Sequence, residues 1–131
     1  MPFMVDVDNT RSVATIDELI EWCSLPGARV TLKPVIDLAA DLCRDGYEPS
    51  AAQHEQAILL NPTCIFPACT RPSRGCDLDH IVPWPVGETT SANLAPLCRG
   101  HHRLKTHGGW TYTRTGPTTF EWTSPTGRHI H

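Results

Sequence analysis

Long hydrophobic runs are missing from this chain of 131 residues. No stretch approaches the roughly 18–20 consecutive apolar residues that a membrane-spanning helix needs. The opening residues, MPFMVDVD, lack the cationic start and apolar centre of a secretory signal. Internal repeats and low-complexity tracts are also missing. We therefore expect a cytoplasmic protein with no membrane partner. In that compartment, six cysteines are expected to be metal ligands or buried thiols rather than disulfides.

An excess of positive charge is missing too, since the net charge is −3. The charge is nevertheless divided by position. Residues 1–60 contain four Lys/Arg and ten Asp/Glu, whereas residues 61–131 contain seven Lys/Arg, four Asp/Glu and six of the seven histidines. A basic segment favours a polyanionic partner. We therefore expect an acidic N-terminal extension over residues 1–60 and a polyanion-facing domain over residues 61–131.

Twelve prolines and nine glycines predict short elements and many turns. Capping boxes predict helices that begin after Thr15 and after Ser50. A further helix is expected over residues 97–106, ended by Gly108-Gly109. Alternating residues predict a strand at 29–32, and the segment 35–42 fits either a strand or a helical turn. Two Thr- and aromatic-rich runs, 111–115 and 118–122, predict a β-hairpin around Gly116-Pro117.

Two close ligand pairs predict a structural zinc site. Cys64 and Cys69 form the first pair, and Cys98 and His101 form the second. Four sulfur and nitrogen donors in two such pairs suit tetrahedral Zn²⁺. Cys76 is the alternative fourth ligand in place of His101. A small loop-rich domain of this kind often needs a metal to hold its shape.

A second group of residues predicts phosphodiester chemistry. Hydrolysis needs an activated water and a group that stabilises negative charge on the phosphate and the departing oxygen. His80 is the expected general base, because a neutral imidazole accepts a proton near pH 7. Asp79 projects from the opposite face of the same strand and would bind a divalent metal. His102, about 100° around the helix from His101, would complete the metal's protein ligands.

Three more residues extend this interpretation. Asn93 carries both a donor and an acceptor and would brace the loop that orients His80. Lys105 lies one turn beyond His102 and would contact a substrate phosphate. Arg103 is a further expected DNA contact.

Together these motifs resemble the signature of the HNH endonucleases. Asp79-His80, Asn93-Leu94 and the run from Cys98 to Lys105 match that signature in order. Over about residues 61–122 the chain resembles the zinc-stabilised HNH module found at the C-terminus of larger bacterial proteins. The resemblance implies that residues 1–60 are the remnant of a larger N-terminal region. Cys98-x2-His101 departs from the Cys-x2-Cys pair of many relatives.

The resemblance implies an α+β chain with a ββα-metal fold, a structural zinc and a short N-terminal helical or extended extension. It implies a DNA endonuclease with His80 as general base, Asn93 as a structural residue, and Asp79 and His102 holding one catalytic Mg²⁺, Mn²⁺ or other divalent ion. The alternative is a non-catalytic zinc module of the same fold that binds DNA or protein. RNA also fits a site that reads phosphates more than bases. Double-strand breaks would need a homodimer or two encounters.

Overall fold

The computed structural model describes residues 4–7, 12–29 and 37–131. The chain divides into two compact units between residues 35 and 36. Within the described residues the protein is an α+β chain with three α-helices and several small antiparallel sheets. None of the helices in those ranges combines the length and apolar character required to cross a membrane.

The first unit contains a short hairpin followed by a helix. Strand β1 (Met4–Val7) pairs antiparallel with strand β2 (Ser12–Thr15). Helix α1 (Ile16–Cys23) follows directly, and the hydroxyl of Thr15 accepts a hydrogen bond from the backbone N–H of Glu18 at 3.1 Å. The predicted helix after Thr15 is therefore confirmed. The strand predicted at 29–32 lies almost wholly outside the described residues, as does the start of the ambiguous segment 35–42.

The second unit begins with a segment that helix α2 holds in place. Strand β3 (Cys43–Arg44) precedes helix α2 (Ala51–Leu60). The backbone N–H of Gln53 donates to the hydroxyl of Ser50, and the Gln53 side chain accepts from the backbone N–H of Ser50. The predicted capping box is thus confirmed. The buried Gln56 amide also donates to the carbonyls of Asp37 and Ala40, so α2 fixes the irregular chain that precedes β3.

A two-stranded sheet and a helix form the centre of the second unit. Strand β4 (Asp77–His80) pairs antiparallel with strand β6 (Leu94–Leu97), while strand β5 (Thr89–Thr90) pairs with β3. Helix α3 (Arg99–His107) follows β6 almost at once. It begins two residues later than predicted and ends one residue later, at His107, directly before the expected stop at Gly108.

The predicted hairpin after α3 is confirmed. Strand β7 (Thr111–Arg114) pairs with strand β8 (Phe120–Thr123), and strand β9 (His129–Ile130) adds a third strand. Alternate residues of these strands face the core, which explains the Thr- and aromatic-rich pattern. The core contains Cys64, Ala95, Leu97, Cys98, Tyr112, Phe120 and Trp122.

The division between the units differs from the boundary expected after residue 60. Residues 37–60 belong to the second unit, where the Gln53 amide donates to the carbonyls of Leu42 and Thr89 and β3 pairs with β5. The acidic charge of residues 1–60 reflects composition alone. It carried no information about these long-range hydrogen bonds, which attach residues 37–60 to the chain after residue 88.

Candidate metal and nucleic-acid site

The predicted ligand pairs converge on one point. The ligand atoms of Cys64, Cys69, Cys98 and His101 all lie within 4.8 Å of one another. Cys98 lies directly before helix α3, and His101 occupies the first turn of that helix, which brings the second pair together. The Nδ1 atom of His101 lies 3.2 Å from Cys98 Sγ and 3.6 Å from Cys64 Sγ.

These separations fit a tetrahedral zinc ion. Zn–S bonds of about 2.3 Å and Zn–N bonds of about 2.0–2.1 Å put sulfur and nitrogen ligands about 3.6 Å apart. Phe66, which is not a member of the cluster, stacks on the His101 ring with ring centroids 3.9 Å apart and supports its orientation. The cluster can therefore hold a metal such as zinc.

Burial affects the protonation of this cluster. It raises the pKa of the Cys64 thiol to about 12. Burial also raises the pKa of Cys98, but hydrogen bonds from the His101 backbone and from the neighbouring thiols outweigh it, so the net pKa of Cys98 is lowered. Burial lowers the pKa of His101, which favours the neutral, metal-binding imidazole. A bound cation would supply the positive charge that buried thiolates need.

Cys76 is not part of the cluster formed by the described residues. Its thiol donates to the carbonyl of Pro72 at 3.3 Å, and it lines the open cleft beside β4. Of the two candidates for the fourth ligand, His101 and Cys76, the structure therefore places His101 beside the other three ligands.

Asp79 and His102 meet where strand β4 faces helix α3. Asp79 Oδ1 lies 3.1 Å from His102 Nε2. Asp79 is buried, whereas about a quarter of the His102 side chain is exposed. Consecutive helical residues project in different directions, so His101 reaches the cysteine cluster while His102 reaches the strand. The neighbour of a cluster residue on α3 thus contacts the buried carboxylate of β4.

The other oxygen of Asp79 is held by two donors. Lys105 Nζ and the Tyr112 hydroxyl both donate to Asp79 Oδ2 at 2.7 Å. Burial raises the pKa of Tyr112 well above its usual value, and the Asp79 carboxylate adds to the increase. Tyr112 therefore stays protonated and remains a donor. Lys105 also donates to the carbonyl of His80 at 2.5 Å.

The position of Lys105 differs from the sequence expectation. Only 11% of its side chain is exposed, and its ammonium group contacts Asp79 and His80 rather than an open surface. Lys105 does lie on the same face of α3 as His102, one turn further along the helix. Strand β4 covers that face. Its role in the structure is to hold Asp79 and to balance its charge.

Asp77 is a residue that the sequence analysis did not assign. Its Oδ2 lies 2.9 Å from His102 Nδ1, and Arg99 contacts both of its oxygens at 2.8 and 3.0 Å. The Arg99 guanidinium lowers the pKa of Asp77, with a further contribution from His102. Asp77 and Asp79 share one face of β4, so the period-2 rule for strands could have paired them.

His80 lies on the other face of β4. It is buried, and its Nε2 lies 2.9 Å from the hydroxyl oxygen of Thr89. The Tyr47 ring stacks on the imidazole with centroids 5.1 Å apart, and the Trp84 ring is 6.1 Å away. Burial lowers the pKa of His80, so the imidazole is neutral near pH 7. Neither Thr89 nor Tyr47 carried a sequence signal, because both reach His80 through long-range packing.

Asn93 holds the loop between β4 and β5. Its Oδ1 accepts from the backbone N–H of Val82 at 2.8 Å, and its Nδ2 donates to the carbonyls of Val82 and Glu88 at 3.0 and 2.9 Å. Gly87 lies so close that an added Cβ would be 2.6 Å from Asn93 Nδ2. Asn93 therefore fixes both ends of the loop that begins directly after His80.

An open cleft of about 490 Å³ lies beside β4 and α3, and its lining includes Asp77, His80 and His102 but not Asp79. Basic and titratable side chains dominate its lining, which includes His54, His80, His102, His107, Arg99 and Arg103. Asp77 and Glu48 contribute carboxylates. His54, which the sequence placed on the surface of α2, reaches the cleft because that helix packs beside it. The cleft thus combines a neutral histidine, a carboxylate–histidine group and cationic side chains.

Comparison with known proteins shows that this chain resembles parts of longer mycobacterial proteins. It is 44% identical over 82 residues to the uncharacterized protein Rv3776 of Mycobacterium tuberculosis. These 82 residues are 62% of this chain and 16% of that protein. It is also 44% identical over 92 residues to the uncharacterized protein Rv2100 of the same organism, covering 70% of this chain and 16% of the relative. The chain therefore spans about one sixth of the length of these relatives. No family model and no solved structure matches the chain.

Proposed function

We propose that this chain is a metal-dependent HNH endonuclease that hydrolyses DNA phosphodiester bonds. In this proposal β4, β6 and α3 form the ββα-metal unit, and the Cys64, Cys69, Cys98 and His101 cluster holds a structural zinc beside it. Asp79 and His102 hold a catalytic Mg²⁺ or Mn²⁺, and His80 is the general base. DNA is the proposed partner.

The observation that carries the proposal is the separation of Asp79 Oδ1 and His102 Nε2, which is 3.1 Å. Metal–ligand distances of 2.0–2.1 Å place neighbouring ligands of an octahedral Mg²⁺ about 3.0 Å apart. A carboxylate oxygen and a neutral imidazole nitrogen are suitable donors for such an ion. The donor pair therefore fits a divalent cation without a change in backbone position.

Strand geometry separates the proposed base from the proposed metal ligands. Asp79 faces α3, whereas His80 faces Tyr47 and Thr89. A cation bound by Asp79 and His102 would stabilise the negative charge on the phosphate and on the departing oxygen. The neutral His80 imidazole would accept a proton from the attacking water. The water oxygen forms the new P–O bond as the bond to the 3′ oxygen breaks, and solvent protonates that oxygen.

The remaining side chains support substrate binding in this proposal. Arg103 and His107 lie in the cleft and would contact phosphates next to the scissile bond. Lys105, the phosphate contact expected from sequence, instead orients Asp79 through the 2.7 Å ion pair. Phosphate contacts carry no base preference, so the site would cut with little sequence selectivity.

One observation favours the non-catalytic alternative. The buried Asp79 carboxylate already has three protein partners, namely His102, Lys105 and Tyr112. A fully satisfied buried polar network stabilises a fold without any catalytic role. Such a protein would bind DNA or another protein through the cleft and would need only the zinc.

Cleavage of supercoiled plasmid separates the two functions. The full chain, with its zinc content verified, is incubated with Mg²⁺ or Mn²⁺, beside His80→Ala and a control, His131→Ala, at an exposed histidine outside the cleft. The proposal expects metal-dependent nicking by the wild type and by the control, and a loss of about 10²- to 10⁴-fold in His80→Ala. Zinc content and DNA binding should be unchanged in His80→Ala. A zinc-loaded, DNA-binding wild type that does not cut under either ion would favour the alternative.

A further inference from the structure

The hydroxyl of Thr89 links His80 to the segment that precedes helix α2. It lies 2.9 Å from His80 Nε2 and 2.6 Å from the carbonyl oxygen of Gly46. A carbonyl oxygen only accepts hydrogen bonds, so the single Thr89 hydroxyl proton is directed to Gly46. The Thr89 oxygen must then accept from His80, and the proton of the neutral imidazole must be on Nε2.

From this arrangement we infer that Thr89 and Gly46 are positioning residues that set the tautomer of His80. The inference deepens the proposed nuclease function and rests on it for its catalytic consequence. With Nε2 protonated and bonded to Thr89, Nδ1 carries the free lone pair. Nδ1 is therefore the nitrogen that accepts the proton from the attacking water.

Several contacts hold this hydrogen-bond relay, which runs from His80 through Thr89 to Gly46, in place. Thr89 is fully buried, and the Gln53 amide donates to its carbonyl at 3.0 Å. Strand β3 pairs with β5, with Arg44 opposite Thr89. The Tyr47 ring covers one face of the imidazole. Because rotation of the His80 ring would break its bond to Thr89, the ring is held in one orientation as well as one tautomer.

The relay gives residues 41–48 a part in the proposed active site. The backbone N–H of Leu42 donates to the Ser91 hydroxyl at 2.7 Å, and the backbone N–H of Ser91 donates back to the Leu42 carbonyl at 2.9 Å. These bonds fix the distance between Gly46 and Thr89. A segment that the sequence assigned to a separate acidic extension therefore determines which nitrogen of His80 is basic.

The test compares Thr89→Val, which keeps the side-chain shape but removes the hydroxyl, with Thr89→Ser, which restores it. Thr90→Val is the matched control, because adjacent strand residues face opposite sides. The full zinc-loaded chain is examined by ¹⁵N NMR at about pH 8, above the usual histidine pKa. The His80 signals are assigned by their loss in His80→Gln. Thermal unfolding of each variant is measured in parallel.

The inference expects the Nε2–H tautomer of His80 in the wild type, in Thr89→Ser and in Thr90→Val, and a mixed or Nδ1–H tautomer in Thr89→Val. It also expects plasmid cleavage to fall about 10- to 100-fold in Thr89→Val alone, the usual effect of losing a group that orients another residue. An Nδ1–H tautomer in the wild type would overturn it, whether or not Thr89→Val folds. So would an unchanged tautomer in a folded Thr89→Val.

The two claims fail separately. If the wild type shows the Nε2–H tautomer and Thr89→Val loses it, the relay is supported even where no protein in the series cleaves DNA. In that result the nuclease proposal is the one that fails.

Discussion

Asp79 Oδ1 and His102 Nε2 lie 3.1 Å apart, whereas the side chains of the residues that precede them, Leu78 and His101, point elsewhere. Leu78 lies on the opposite face of β4, while His101 belongs to the cysteine cluster. One turn of α3 thus connects a zinc-type cluster to a buried carboxylate. Loss of order in the cluster would therefore move His102 away from Asp79.

The cysteine cluster is expected to hold the second unit together. Cys64→Ser should lose the bound zinc and unfold residues 37–131, because metal binding and folding are coupled in small zinc domains, with apparent binding free energies of about 10–16 kcal/mol. Cys43→Ser is the control, since Cys43 is an exposed free thiol. Metal analysis and thermal unfolding provide the measurements. Equal zinc content and equal melting in the two variants would show that the cluster is an ordinary set of buried thiols.

Asp77 is expected to orient His102 for metal binding. Its carboxylate holds a proton on His102 Nδ1, which leaves Nε2 free to face Asp79. Asp77→Asn should weaken Mn²⁺ binding about 10- to 100-fold, the typical effect of losing a ligand-orienting partner. Isothermal titration of the zinc-loaded protein measures it. Arg99→Ala should have a smaller effect, since it leaves the bond between Asp77 and His102 in place. Mn²⁺ binding of wild-type strength in folded, zinc-loaded Asp77→Asn would show that Asp77 does not orient His102.

Arg103 is expected to contact DNA phosphate. It lines the cleft and its side chain is exposed. Arg103→Ala should reduce the slope of log affinity against log salt by about 0.9, the value for one lost contact with duplex phosphate. Arg128→Ala, an exposed arginine outside the cleft, should leave that slope unchanged. Fluorescence anisotropy with a short duplex at several salt concentrations gives both values. The same slope in wild type and Arg103→Ala would remove Arg103 from the interface.

Local patterns predicted much of the fold. The Ser50–Gln53 capping box and the hairpin after α3 depend on residues close in sequence, and both are confirmed. The grouping of the two ligand pairs is confirmed as well, and the short spacing within each pair is what made it predictable.

Local sequence patterns did not predict the long-range contacts. Gly46 and Thr89 are separated by 43 residues, and nothing in either residue type indicates that they meet. The inward position of Lys105 depends on where β4 crosses α3, which helical periodicity alone does not determine. Asp77 is different, since its place two residues before Asp79 was a readable signal.

A second metal, distinct from zinc, at Asp79 and His102 is the central claim, and Mn²⁺ titration of the zinc-loaded chain tests it most directly. Wild type and the exposed-carboxylate control Asp17→Asn should bind one Mn²⁺ equally well. His102→Gln and Asp79→Asn should lose that binding while keeping their zinc and a folded second unit. Mn²⁺ binding of wild-type strength in folded, zinc-loaded His102→Gln and Asp79→Asn, or none in the wild type, would contradict the account.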